Sequence, residues 1–320
     1  MLGNRETGGF FRTTRGVVEV ASLFWAASAG TGQPTSALGL VRRARSMNRA
    51  RVASNLLAPL LFAPTGTLAA RTVRQRPELL TLHEGPYINA DWNAHNRVAN
   101  ARAHLDVAET IPALSFDADQ SIELVNLPFG DGEYHLVIDK PQWFTREGVA
   151  ALNLFWRRHR VFTLSFAFER SGSDLIAVIG GIQGRKLPQI LDLYRSFTKA
   201  AHGMRPRDFI IEAFRVFCRA HGVRRIEAVS DNCRHHRSSY FKLPANRSLP
   251  FNYDEVWTER GGIPIDNAFW DIPITQQRRD DVPARKRALY RERYAYLDAL
   301  DVAITRGVAT ARPLYRPVAY

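Results

Sequence analysis

From Pro206 to Ser230 the order of residue types leaves room for one arrangement, a helix closed at both ends and then a short strand. Phe209, Ile210, Ala213, Phe214, Phe217 and Cys218 recur at three- and four-residue steps, while Asp208, Glu212, Arg215 and Arg219 fall on the opposite side. One face of that helix is core. Pro206 suits the first helical position because the N–H it lacks would have no intrahelical acceptor, and Gly222 can take the left-handed backbone that ends a helix. Arg225 to Ser230 predict a strand with Ile226, Ala228 and Ser230 on one side, left by the turn Ser230-Asp231-Asn232. Asp231 thus falls at a strand end, where open α/β sheets form the crevices that hold ligands. The same carboxylate could simply stabilise the turn.

Upstream, Phe162, Leu164, Phe166 and Phe168 alternate with Thr163, Ser165 and Ala167, the period of a strand that buries one face. Ser171-Gly172-Ser173-Asp174 supply turn chemistry, and Leu175 to Ile179 then run apolar without a break, as in a strand covered on both sides. Gly180-Gly181 at the end of this hairpin permit a kink, a bulge or the close approach of a ligand. A second hairpin is expected from Ser121 to Asp139, turning at Gly130-Asp131-Gly132. The fold class is therefore α/β, an α+β mixed sheet that is mainly antiparallel, with flanking helices. Residues 1–112 are expected to form a basic, mainly helical region, residues 113–275 the core, and residues 276–320 a C-terminal basic helix and tail packed on it.

The net charge of +13 is concentrated at one end. Residues 1–76 hold eleven arginines against Glu6 and Glu19, interleaved with apolar runs at Val17–Ala29 and Val52–Ala70. An acidic partner, nucleic acid or an anionic membrane surface would satisfy such a pattern electrostatically. Neither run reads as a membrane span: Glu19 interrupts the first, and Asn55, Pro59 and Pro64 break the second, short of the ~30 Å of hydrocarbon to be crossed. Counted from Met47, the sequence Arg49, Arg51, Leu56 to Ala63 and Leu68-Ala69-Ala70 imitates a signal peptide, but forty-six residues precede it. The simpler reading is a pair of basic amphipathic helices on the core of a cytoplasmic protein, with seating at the periphery of the inner membrane as the alternative. With only Cys218 and Cys233, no disulfide framework exists.

Several polar side chains invite a chemical role. His202 could steer a phosphate, act as a base or cap a helix, and Arg205 offers a permanently charged planar fork to an anion. The free N–H groups that open the helix after Gly203 could hold the same anion. Cys233, His235 and His236 lack any paired Cys-x-x-Cys spacing, so no metal is assigned to them. Tyr253, Asp254, Glu255, Trp257 and Glu259 could position an amine, or Trp257 could be a buried anchor of an irregular segment. Arg285, Lys286, Arg287, Arg291 and Arg293 crowd the start of the last helix against its dipole, and are expected to meet acids within the protein or, less simply, an RNA backbone.

The run His202-Gly203-Met204-Arg205-Pro206-Arg207-Asp208-Phe209, with Gly181-Ile182-Gln183-Gly184 before it and Tyr253-Asp254-Glu255-Val256-Trp257 after it, resembles the bacterial VirK/YbjX family. The closing Arg285-Lys286-Arg287-Ala288-Leu289-Tyr290-Arg291-Glu292-Arg293-Tyr294 resembles that family's basic helix. The resemblance implies a bacterial protein associated with virulence and envelope stress. A second similarity runs from Phe162 to Ser230 and on through Asp231-Asn232 and Tyr240-Phe241, to the central part of GNAT-type acyltransferases. It implies a GNAT-like core, acyl-CoA or another phosphate-bearing acyl donor as cofactor, and transfer of an acyl or aminoacyl group to an amine. Gly203, Met204, Arg205 and Arg207, with Gln183, would then grip the donor's phosphates. Asp231, His235 or Glu255 would be the base and Tyr240 the acid, with His202, His236, Tyr253 and Trp257 around the acceptor. This chain departs from the GNAT pattern in carrying one glycine in the gripping loop and an extra helix, Ile190 to Ala201, before it.

Overall fold

The computed structural model describes residues 14–28, 36–129, 133–186, 188–241, 249, 251–275, 278 and 281–315. Four helices lead: α1 (Thr14–Ala27), α2 (Ala37–Val52), α3 (Ser54–Leu61) and α4 (Leu68–Gln75), followed by a short 3-10 turn at Pro77–Thr81 and the helix α5 (Ala94–Glu109). Five strands follow: β1 (Gln120–Asn126), β2 (Tyr134–Asp139), β3 (Ala150–Trp156), β4 (His159–Ser171) and β5 (Asp174–Gly184). Then come α6 (Ile190–Ala200), α7 (Pro206–Ala220), β6 (Arg225–Val229), α8 (Tyr253–Glu259), β7 (Ile263–Pro264), β8 (Phe269–Ile272), α9 (Arg287–Ala309) and β9 (Leu314–Tyr315). All nine strands among the described residues join one sheet in the order β7-β8-β6-β5-β4-β3-β2-β1-β9.

Every neighbouring pair in that sheet is antiparallel except β5 and β6, which are joined through α6 and α7. A parallel pair needs such a crossover because the chain must return to the starting end of the sheet. The mixed, mainly antiparallel α/β sheet expected from the sequence is present. So are both hairpins, although the expected turn at Gly130-Asp131-Gly132 lies outside the described residues. Gly222 ends α7 as anticipated, at φ 68°.

α7 lays Phe214 and Phe217 against Phe166 and Phe168 of β4, with ring centroids 4.8 Å apart for Phe166–Phe214 and 6.1 Å for Phe168–Phe217. The strand nevertheless departs from the one-face expectation, because its residues from Arg160 to Phe168 are buried on both sides. Its polar face is covered by the segment 142–149 and by its own hydrogen bonds. Thr163 Oγ1 donates to Asn153 Oδ1 at 2.9 Å, Asn153 Nδ2 donates to Asp139 Oδ1 at 2.9 Å, and Arg160 Nη2 pairs with Asp139 Oδ2 at 2.6 Å. Alternation of apolar and polar residues therefore marks a largely hydrogen-bonded polar interior here, with the Ser165 hydroxyl left without a partner, not a solvated face.

One hydrophobic cluster runs from Val20 to Ile304 and takes in the N-terminal helices, the sheet and α9. The leading helices are held by more than apolar contact. The buried Arg43 guanidinium lies 3.8 Å from the Trp25 ring centroid and donates to the Trp25 carbonyl at 2.7 Å, tying α2 to α1. No helix among the described residues is long and apolar enough to cross a membrane, in keeping with the interruptions noted in both apolar runs.

Candidate functional site

β5 and β6 run side by side from Ile176–Arg225 to Ile179–Ala228 and then part. At the same level the ladder between β4 and β5 slips, pairing Ser165 with Gly181 but Phe166 with Ile179, so that Gly180 is the extra residue of a bulge. The close approach that the two glycines permit is made by the chain itself. A Cβ at Gly180 would stand 2.1 Å from the carbonyl oxygen of Glu147, and one at Gly181 would stand 2.2 Å from Glu147 Oε2.

Where β6 departs, Ile182 would be left with an unpaired N–H and carbonyl. The Tyr253 hydroxyl accepts from the first at 3.0 Å and donates to the second at 3.1 Å, taking the place of a strand. Asp231 Oδ1 accepts from the Tyr253 N–H at 3.0 Å, and the Trp257 indole donates to the Val229 carbonyl at 2.9 Å. The crevice anticipated between the ends of these strands is thus filled by Tyr253 and Trp257, and Trp257 is the fully buried anchor.

Beside this plug, Glu147, His235 and His236 converge, with one ligand-type atom of each within 4.8 Å of the others. Gln183 donates its amide to Glu147 Oε1, His235 Nε2 lies 3.8 Å from the same oxygen, and the two imidazoles meet at a 43° tilt with centroids 3.8 Å apart. Glu147 Oε2 and His235 Nδ1 are buried and have no hydrogen-bond partner. Burial raises the Glu147 carboxyl to about 8, opposed by the Gln183 hydrogen bond and by Arg234. Burial also lowers His235 well below its ordinary value, helped by His236, Arg146 and Arg234, so its ring is neutral at pH 7.

His235 and His236 line a cleft of about 900 Å³, and the buried Glu147 beside them does not reach its surface. One wall is α2, which presents Arg42, Arg45, Ser46 and Arg49 at helical spacing. The other carries Trp143, Arg146, Tyr240 and Phe241. Arg49 lies 3.6 Å from Glu84, which also accepts from Ser46 Oγ at 2.7 Å. Arg146 packs its guanidinium 5.2 Å from the Tyr240 ring centroid, and Arg42 and Arg45 have no acidic partner among the described residues.

The sequence-predicted residues separate into two groups. Gln183, Asp231, His235, His236, Tyr240 and Tyr253 gather around the trio and its cleft, although Asp231 has both oxygens engaged, by Tyr253 on one side and by Arg237 at 2.6 Å on the other. The turn at Gly203 to Arg207 lies instead against α9, and none of its residues lines the cleft. The Gly203 and Met204 amides expected to receive a phosphate already donate to the Thr198 and Ala201 carbonyls, at 2.7 and 3.0 Å. Arg207 is paired with Asp208 and Glu259, His202 faces Glu292 at 3.5 Å, and Arg205 and Glu255 are exposed. Cys233 stands off from the histidines, its thiol donating to Asp91 at 3.3 Å. The acids expected to meet the basic start of α9 are not found among the described residues: none of Arg285, Lys286, Arg287, Arg291 and Arg293 forms an ion pair there, and Arg293 donates instead to the His202 carbonyl at 3.0 Å.

Fold and site together define an α/β protein with an arginine-walled cleft lined by one buried and one partly buried imidazole, beside a buried carboxylate. The chain belongs to the family described as "Protein of unknown function (DUF535)", whose model matches residues 44–306. It is 32% identical over 166 residues to an uncharacterized protein of Haemophilus influenzae, covering 49% of this chain and 52% of that protein. A second uncharacterized Haemophilus influenzae protein is 24% identical over 177 residues, covering 54% and 58%, and the uncharacterized protein YbjX of Escherichia coli is 31% identical over 124 residues, covering 38% and 37%. The chain spans about half the length of the Haemophilus relatives it matches. The VirK/YbjX likeness carried by the motifs is borne out. No solved structure matches the chain, so its fold class rests on the sheet itself.

Proposed function

We propose that this chain is an enzyme that binds a small molecule bearing phosphate or carboxylate groups in the cleft and acts on it at the end lined by His235 and His236, beside Glu147. The supporting observation is the wall of Arg42, Arg45, Arg49 and Arg146, of which all but Arg49 have no ion-pair partner among the described residues, around a space of about 900 Å³. That volume is in the range of small-ligand sites, roughly 300–1,000 Å³, and unpaired guanidinium groups are matched to planar or tetrahedral oxyanions. A phosphate-bearing acyl donor such as acyl-CoA is one member of the class. Arginines of α2, not the turn at Gly203, would then grip its phosphates, and Tyr240 at the rim would be within reach as an acid. Calorimetric titration with pyrophosphate, coenzyme A and acyl-CoA tests the reading. Binding by any of them should weaken at least tenfold in an Arg45→Ala/Arg49→Ala double variant, and saturation unaffected by that change would remove the cleft from consideration.

The alternative, an acidic partner met through the leading helices, draws on a separate observation. Val18, Trp25, Leu40, Val41 and Val52 are exposed on α1 and α2 beside the arginines, the composition of a helix lying on an anionic membrane surface. Flotation with liposomes containing anionic lipid, lost at high salt, would favour that reading; no flotation at low salt would end it.

A further inference from the structure

Glu147, His235 and His236 come from two loops far apart in sequence, yet their donor atoms lie within 4.8 Å of one another. The Glu147 and His235 side chains are only 3% and 7% exposed. A buried carboxylate and imidazole would normally close to hydrogen-bond distance, but here they stop at 3.8 Å. Each also keeps a buried polar atom, Glu147 Oε2 and His235 Nδ1, with no partner. The pair faces each other through Glu147 Oε1 and His235 Nε2, and the second carboxylate oxygen and second ring nitrogen are left without a partner, so the buried cluster has unmet capacity for a ligand.

We propose that this trio binds a transition-metal dication, with zinc as the reference ion and the anionic ligand of the cleft completing its coordination. Two imidazoles and a carboxylate form a borderline donor set that favours such metals over magnesium or calcium. An ion about 2.0–2.2 Å from each donor separates tetrahedral ligand atoms by about 3.3 Å, so the 3.8 Å gap between His235 and Glu147 needs to close by about half an ångström and the trio, whose donors lie within 4.8 Å, by about 1.5 Å at most. Gln183 holds Glu147 Oε1 in the way outer hydrogen-bond partners orient metal ligands. Gly181, which leaves room for the Glu147 carboxylate, has its explanation in the same site. Three protein ligands leave a coordination position facing the cleft, as in catalytic zinc sites, where a water or a ligand oxygen can bind. Arg146 and Arg234, both close enough to act on His235, oppose a bare dication. An oxyanion that bridges metal and arginines offsets that repulsion, so metal and anion should each strengthen the other's binding.

The inference rests on the cleft end being the reactive one, and its test separates the two claims. Purified full-length protein is dialysed against Zn2+ and, separately, Co2+, and metal content, calorimetric affinity and the visible spectrum of the cobalt form are recorded with and without pyrophosphate. The expected result is one equivalent of metal, a cobalt spectrum of low coordination number, and an affinity that falls at least tenfold in His236→Ala and in Glu147→Gln but not in Cys233→Ser. Thermal melting of each variant checks folding, and His236, only partly buried, provides the variant least exposed to that objection. Metal uptake unchanged by His236→Ala in a folded protein, or none at millimolar zinc, overturns the proposal. Pyrophosphate binding that depends on Arg45 and Arg49 without metal would in either case leave the cleft reading standing.

Discussion

At the scale of single residues, the site depends on two glycines with different tasks. A side chain at Gly180 would meet backbone, the Glu147 carbonyl at 2.1 Å, which cannot yield without moving the strand or the loop. A side chain at Gly181 would meet only the far end of Glu147, with Oε2 at 2.2 Å. Gly180→Ala should therefore cost about 1–3 kcal/mol in urea unfolding, as overpacking does in well-filled cores. Gly181→Ala should cost less than Gly180→Ala, because Glu147 can rotate away, and should instead weaken zinc or pyrophosphate uptake at the cleft end. The glycine pair was visible in the sequence as a bulge or a close approach; its partner was not. Glu147 sits in a segment without periodicity, and nothing local distinguishes it from other loop carboxylates. His235 and His236 were legible as a pair, and Arg42, Arg45 and Arg49 at three- and four-residue steps carried the signal of one helix face, masked by the arginines around them. The turn at Gly203 misled for a physical reason: a helix start offers amides, but here the preceding helix end uses those of Gly203 and Met204.

At the scale of elements, local periodicity gave β4, β5 and α7, while the contacts that join elements depended on single polar atoms. Helix α5 is an example. β3 pairs with β4 only as far as Phe166, and beyond it the Phe168 N–H donates instead to His104 Nδ1 of α5 at 2.9 Å. The ring lies between Phe166 and Phe168, where burial and the nearby Lys140 depress its pKa from 6.5 to about 3. The unfolded chain takes up that proton near 6.5 and the folded chain does not, so the unfolded state binds more protons in between. The stabilisation is complete above 6.5 and is lost as pH falls toward 3. His104→Leu should lower stability at neutral pH by about 1–3 kcal/mol, the cost of an unpaired buried N–H. It should also flatten the acid side of the stability profile, and a variant as acid-sensitive as the parent would show that α5 is docked by apolar contact alone.

For the whole molecule, buried basic groups and net charge act in the same direction, and buried acids oppose them, carboxyls such as Glu147 and Glu212 at lower pH and the Cys218 and Cys233 thiols above about pH 9. Lys140 is buried against the Phe116 ring, its ammonium 4.4 Å from the centroid, and donates to the Phe116 carbonyl. Burial lowers its pKa from 10.5 to about 7; Asp117 works against the shift, and Arg71 and Arg76 add to it. Between those two values the unfolded state binds the extra proton, so stability rises with pH through the window. Glu147, raised from 4.5 to about 8, has the opposite sign and erodes stability until pH passes about 8. Above that point Lys140 acts without this opposition. The excess of +13 at pH 7 is also shrinking toward the pI near 10.2, which relaxes self-repulsion. Unfolding free energy measured by urea should therefore climb from about pH 8 toward 9, above which the raised thiols of Cys218 and Cys233 turn the slope back. Lys140→Met keeps the stem that packs on Phe116 and removes the ionisable group, and it should raise stability at pH 7 while cancelling most of that climb. If the variant retains the full alkaline slope, repulsion among surface arginines is the cause, and salt should then flatten the profile where the substitution did not.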